Sequence, residues 1–146
     1  MDLTQSYPRS IKERLAGVAG LARTTDKAKA AAAGTNGEYN YNCPLDQRVL
    51  GFLGIDADAF LDNARNAKDD AKVESYAKPF VDKKTPAELE TFNRELMALS
   101  PEPGSEAEKY FLELRNTVAP DRTDVTTWPD LLDLEEKREV PRKVTV

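Results

Sequence analysis

The sequence predicts an all-α fold: one compact domain spanning residues 1–146, built from about six to seven helices, with room for one short extended segment. Three observations predict it. Helix-capping side chains recur along the chain, at Asn42, Asp56, Thr85, Ser105 and Thr127. The apolar residues that follow them recur at spacings of three and four, the period of a helix with one buried face. Two-residue alternation is confined to Tyr39–Tyr41, so the chain offers little material for a sheet.

Residues 1–9 read as a lead-in, with Tyr7 held extended by Pro8. Ser10-Ile11-Lys12-Glu13 matches a capping box, and Ile11, Leu15, Val18 and Leu21 follow at helical spacing, which predicts a first helix. Gly17 and Gly20 weaken its middle and would let another helix approach closely. Leu21–Gly34, LARTTDKAKAAAAG, predicts a helix capped by Asp26 or Thr25, propagated by alanine and stopped by Gly34. Arg23, Lys27 and Lys29 form the one conspicuous basic cluster, which reads either as a solvated helix face or as one wall of an anion-binding corner.

Asn36-Gly37 marks a turn, and Tyr39 and Tyr41 then alternate with polar residues as a short extended piece. Asn42 caps the next helix, Cys43 and Pro44 occupy its first turn, and Asp46 complements its positive pole. Leu45, Val49, Leu50, Phe52 and Leu53 give it an apolar face, and Gly54 ends it. Asp56 starts a helix carrying Phe60, Leu61 and Ala64. Asp69-Asp70 to Phe80 predicts another, with Pro79 in or at the end of its last turn. Thr85-Pro86-Ala87-Glu88 combines a capping box with proline at the first helical position and opens a helix with Leu89, Phe92, Leu96 and Leu99 on one side. Ser105 starts a helix with Tyr110, Phe111, Leu114 and Val118 inward, and Thr127 a short acidic one through Glu136. Residues 140–146 form a β-prone tail interrupted by Pro141, read as either disordered or docked.

Composition excludes more chemistry than it admits. The chain has no histidine, which removes Ser-His-Asp and Cys-His nucleophiles, imidazole acid–base work and the usual zinc and non-haem iron ligand sets. A single cysteine removes an internal disulfide, thiolate zinc sites and iron–sulfur clusters within one chain. No metal or cofactor is expected, and any catalysis rests on carboxylates, Lys, Tyr, Arg or Cys43. A net charge of −5 argues against nucleic acid as partner. A helix-turn-helix reading of residues 70–99 fails on charge as well: its second helix offers Glu88, Glu90 and Glu95 against Arg94 alone. No apolar run reaches the roughly 20 residues that span a bilayer, and the first ten residues lack a basic-then-apolar leader pattern. A cytoplasmic protein is expected.

Several short motifs lack the chemistry they suggest. Asp56 and Asp58 lack the further ligands and the glycine of a calcium loop. Cys43 and Arg48 are separated by PLDQ, one residue short of a phosphatase phosphate loop and without its glycines. Cys43-Pro44 matches a haem-regulatory dipeptide but has no histidine as second axial ligand. Glu38 and Asp46 read more simply as a turn residue and a dipole-facing residue than as an acid–base pair.

Several segments together resemble a bacterial family described only as a domain of unknown function: DLTQSYPRS, LARTTDKAKA, the GEY and CPLD pieces, FLGIDADAF, TPAELETFNREL and DVTTWPDLLDLEE. The resemblance implies a small, helical, soluble bacterial protein and supplies no catalytic residues.

The residues that chemistry singles out converge on one corner: Arg23, Asp26 and Lys27 against Tyr39, Tyr41, Cys43 and Asp46. The expected function is a non-enzymatic module that binds a small molecule, an anion or a protein there, beside a helix N-terminus. The alternative is a thiol-dependent enzyme or redox sensor, because a thiol in the first turn of a helix feels the positive pole that favours its thiolate. Against it stands the plain role of Cys43 as a small apolar residue beside a cap. A third reading docks the acidic stretch Asp130–Glu136 on a basic protein.

Overall fold

The computed structural model describes residues 1–143. Among them are seven α-helices and a single two-stranded sheet, so the all-α expectation holds. The chain divides into two compact units, Met1–Asn93 and Arg94–Val146.

The first unit begins with a departure from expectation. Instead of a helix over Ile11–Leu21, β1 (Arg14–Leu15) and β2 (Val18–Ala19) pair antiparallel, with Arg14 opposite Ala19 and Leu15 opposite Val18. The turn between them explains it. Ala16 and Gly17 take φ of 54° and 77°, the pair of positive angles that suits a two-residue hairpin and that a right-handed helix forbids. Ser10 serves a turn rather than a helix cap: its Oγ accepts the Lys12 N–H at 3.1 Å and its carbonyl the Glu13 N–H at 3.1 Å. Ile11, Leu15, Val18 and Leu21 are all buried nonetheless, so the apolar pattern located the core and misnamed the element.

The next helix, α1 (Leu21–Ala33), starts at Gly20 with φ of 80°, five residues before the earlier of the expected caps. Thr25 and Asp26 lie inside it. Its amide partner at the far end is Gly34, whose N–H reaches the Ala30 and Ala31 carbonyls. Three neighbours surround α1: the hairpin strand β1, α2 (Pro44–Leu53) and α3 (Ala57–Asn66). Every residue from Leu21 to Ala28 is consequently buried, polar ones included. The reading of Arg23 and Lys27 as a solvated face is overturned; they are 5% and 4% exposed.

After α1 the chain passes the N-terminal segment, where the Leu3 N–H donates to Thr35 O at 2.8 Å. A Cβ on Gly37 would lie 3.0 Å from the Leu3 carbonyl oxygen, and its φ is 56°, so this crossing requires glycine. No strand forms at the expected extended piece Tyr39–Tyr41: Tyr39 and Asn40 are irregular and Tyr41 opens a turn. With no strand beside it, Asn36 instead closes a local loop, its side-chain amide and carbonyl meeting Tyr39 at 2.8 and 2.9 Å.

Later boundaries follow the capping logic closely. Asp56 accepts the Ala59 N–H at 3.0 Å at the head of α3, and Asp69 the Lys72 N–H at 3.1 Å at the head of α4 (Asp70–Val81), which holds Pro79 in its last turn. Both halves of the Thr85/Glu88 capping box form, at 3.0 and 3.1 Å, opening α5 (Pro86–Met97). Asn93 on α5 is buried and clamps the hairpin, accepting the Ala19 N–H at 2.8 Å and donating to Gly17 O at 3.0 Å.

The second unit contains α6 (Glu106–Val118) and α7 (Trp128–Glu135) around a small apolar cluster of Phe111, Val125, Leu131 and Val140. Trp128 meets Phe111 edge-on at 4.9 Å. Tyr110 and Val118, expected inward, are exposed; Phe111 and Leu114 set the inward face and Tyr110 lies a helical step to its side, against Trp128. The start of the tail is docked: Val140 joins the cluster, Pro141 O accepts from Arg122 at 3.3 Å, and the Lys143 N–H donates to Asp124 at 3.1 Å. Residues 144–146 of the expected tail lie outside the described residues.

Candidate functional site

The burial of α1 forces a local problem. Between Leu21 and Ala28 it carries Arg23, Thr24, Thr25, Asp26 and Lys27 into a low-dielectric interior, where each polar atom needs a partner. Thr25 Oγ1 turns back to Leu21 O at 2.8 Å. Consecutive residues Asp26 and Lys27 point to different neighbours and build two separate ion clusters.

Asp26 faces the lead-in. Arg9 grips its carboxylate side-on, Nε to Oδ2 and Nη2 to Oδ1, both at 3.0 Å, and adds its backbone N–H at 2.9 Å. The other edge of the same guanidinium holds Asp70, at the first residue of α4, with contacts of 2.7 and 3.1 Å. Arg9 thus ties the lead-in, α1 and α4 together through two bidentate forks. Hydrogen bonding from Arg9 is the main cause that holds the Asp70 carboxyl below its ordinary range, with the Arg9 and Lys29 charges adding to it. The Arg9 guanidinium is pushed further up by Asp70 first and Asp26 second. Sequence alone does not mark Arg9 or Asp70: one lies in the lead-in and the other at the start of an expected helix, and no local pattern pairs residues 61 positions apart.

Lys27 faces α2. Its Nζ donates to Asp46 Oδ2 at 2.8 Å and to Cys43 Sγ at 3.1 Å. The Lys27 and Asp46 side chains are 5% and 2% exposed, so this is a buried pair. Asp46 is further satisfied by the Thr24 hydroxyl at 2.8 Å and by the Cys43 N–H at 3.2 Å. Cys43, rather than the expected Asn42, is the N-cap of α2; Asn42 takes a left-handed φ of 63° in the turn before it. Cys43 as a residue is half-buried. Its thiol combines a position at the positive end of a helix with contact to a fixed ammonium.

The remaining predicted residues sit around these two clusters. The Arg23 guanidinium lies over the Tyr39 ring, 5.6 Å from its centroid, and donates to Arg9 O at 3.2 Å. Tyr41 donates its hydroxyl to Ala57 O at 2.6 Å, at the head of α3. Burial, with the Asp46, Asp58 and Asp56 charges behind it, pushes the Tyr41 phenol well above its ordinary range. Lys29 reaches Ala67 O at 2.5 Å, at the end of α3, and acts as a helix C-cap rather than as an anion site. The structure thus brings Lys27, Cys43 and Asp46 into direct contact and sets Arg23 on Tyr39. Asp26 belongs to the separate Arg9 cluster.

Among the described residues no group of three or more metal-ligating side chains assembles, and no helix is long and apolar enough to cross a membrane.

The model of the domain of unknown function DUF5069 matches residues 5–138, nearly the whole chain. No curated protein matches it. The chain belongs to the DUF5069 family.

Proposed function

We propose that this family member is a thiol-responsive regulatory module of a bacterial cytoplasm, with Cys43 as the responsive group. The single observation that carries the reading is the 3.1 Å contact between Sγ of the half-buried residue Cys43 and the buried Lys27 ammonium at the N-cap of α2. Thiolate, not thiol, is the reactive species, and a helix N-terminus together with an adjacent lysine is the setting that favours it. A solitary thiol with no second cysteine in the chain suits a reducing compartment, where it persists until an oxidant or electrophile arrives. A non-enzymatic role fits the surroundings, because no histidine and no second thiol stands by to turn the sulfur over.

Geometry favours this over an anion-binding corner. Arg23 and Lys27, the cations such a corner would use, are buried and already engaged by the Arg9 carbonyl, Tyr39 and Asp46. The test is the rate of Cys43 alkylation at neutral pH in the native protein, in Lys27→Met and in the urea-unfolded chain. Native labelling faster than that of the unfolded chain, and slowed in the variant, is expected. A native rate no faster than the unfolded one and unchanged by the substitution, or no labelling before denaturation, overturns the reading.

A further inference from the structure

Resting on the thiol reading, we infer that Cys43 and Lys27 are the two ends of an oxidative cross-link. Peroxide converts them into a direct Sγ–Nζ bond, a sulfenamide, between α2 and α1. The inference rests on two nucleophilic side chains already in contact, not on the thiol alone. Sγ and Nζ are 3.1 Å apart, and Cys43 is half-buried rather than enclosed in the core. Nζ is fixed inside by a buried carboxylate. An oxidised sulfur that meets a nitrogen at this range condenses with it; the same reaction with a backbone nitrogen is a known fate of sulfenic acids.

The chemistry balances in two steps. Hydrogen peroxide oxidises the Cys43 thiol to a sulfenic acid and is itself reduced, releasing one water. Lys27 then passes one ammonium proton to Asp46 Oδ2, its partner at 2.8 Å, and the freed amine attacks Sγ. The S–N bond forms, the S–O bond breaks, and the sulfenic oxygen leaves as a second water with a further proton from Nζ. The net change is loss of two hydrogens from the protein.

Asp46 is what makes the product tolerable in this interior. Linking Lys27 removes a buried positive charge and would strand the carboxylate unpaired. Because Asp46 takes the proton, a neutral ion pair becomes a neutral acid beside a neutral S–N link. The Thr24 hydroxyl and the Cys43 N–H still hold the carboxyl group. An ionic tie between α1 and α2 is thereby exchanged for a covalent one. An added thiol reverses it: the reductant attacks Sγ and frees the Lys27 amine, and a second thiol reduces the mixed disulfide.

The experiment is intact mass and tryptic mapping of the wild-type chain after treatment with hydrogen peroxide, with and without later dithiothreitol. Supporting it is a monomer about 2 Da lighter, a linked peptide containing both residues, loss of cleavage after Lys27, and full reversal by dithiothreitol. A stable gain of about 16 or 32 Da at Cys43, or a disulfide-linked dimer, overturns the cross-link and leaves the responsive thiol standing. An unmodified chain overturns both. Lys27→Arg keeps a cation beside the sulfur and cannot form the link. In that variant peroxide is expected to give only oxygen addition, and a 2 Da loss there would also overturn the assignment of Nζ.

Discussion

Asp26 and Lys27 are adjacent on one buried helix, yet their two clusters are built for different ends. At Asp26 an arginine meets two carboxylates, and both edges of its planar fork are taken up by bidentate bonds. That arrangement is saturated: it fastens the lead-in to α1 and α4 and uses both edges of the guanidinium. At Lys27 a compact ammonium meets one carboxylate and one sulfur, and the residue that carries the sulfur is only half-buried. The lesson is that burying charge on α1 was a structural necessity met twice, and that only one of the two solutions leaves a reactive atom at its edge.

The largest effect is expected from removing one partner of the more deeply buried pair. Lys27→Met strands Asp46 and should cost about 3–5 kcal/mol, read as a drop in urea midpoint. The double variant Lys27→Met/Asp46→Leu should recover most of that loss, since the cost is an unpaired charge rather than a lost attraction. A double variant no better than the single would mean that the network is needed for packing of α1 on α2.

Arg9→Ala leaves Asp26 buried without its fork, but Arg9 is 31% exposed and Asp70 44%, so water relieves part of the loss. About 2–3 kcal/mol is expected, again from denaturant unfolding. Arg9→Lys should restore little, because a point charge cannot hold two carboxylates edge-on. Full restoration by lysine would break the distinction between the two clusters.

The two clusters also divide the pH axis. Asp70 is depressed in the folded state, so its contribution is complete above the ordinary carboxylate value near 4 and is lost as pH falls through the lower folded value. Asp70→Asn should flatten the acid limb of the stability profile. Tyr41, near the Lys27 cluster, is shifted upward chiefly by burial. Its neutral form is favoured, so the contribution is complete below pH 10 and is lost as pH rises through the folded value. Tyr41→Phe should remove that alkaline loss at a cost of about 1 kcal/mol for the bond to Ala57 O. Thermal melts across pH measure both.

The smallest effect on stability should come from the residue with the most chemistry. Cys43→Ala removes the sulfur of a half-buried residue and one acceptor, about 0.5–1 kcal/mol, while abolishing the roughly 2 Da loss and every peroxide-dependent change at residue 43. A loss of several kcal/mol instead would make Cys43 a packing residue first.

The sequence by itself determined most of the scaffold, because its signals were local. Caps at Asp56, Thr85 and Ser105 each need partners within three residues, and each formed where expected, whereas Thr127 heads α7 without a side-chain cap bond. The juxtaposition of Lys27, Cys43 and Asp46 was partly legible too, since a basic helix and a helix N-terminus flank one turn. Tertiary structure decided the rest. Over Ile11–Leu21 the apolar spacing fits a helix, but an Ala16-Gly17 turn with two positive φ angles gives a hairpin whose open polar groups Asn93 satisfies from 74 and 76 residues away. Whether Arg23 and Lys27 face water or the interior depends on three neighbours that close around α1, and no charge pattern within thirteen residues states that. Local bonds are written in local sequence; burial, and with it the choice of which charges must pair, is a property of the packed whole.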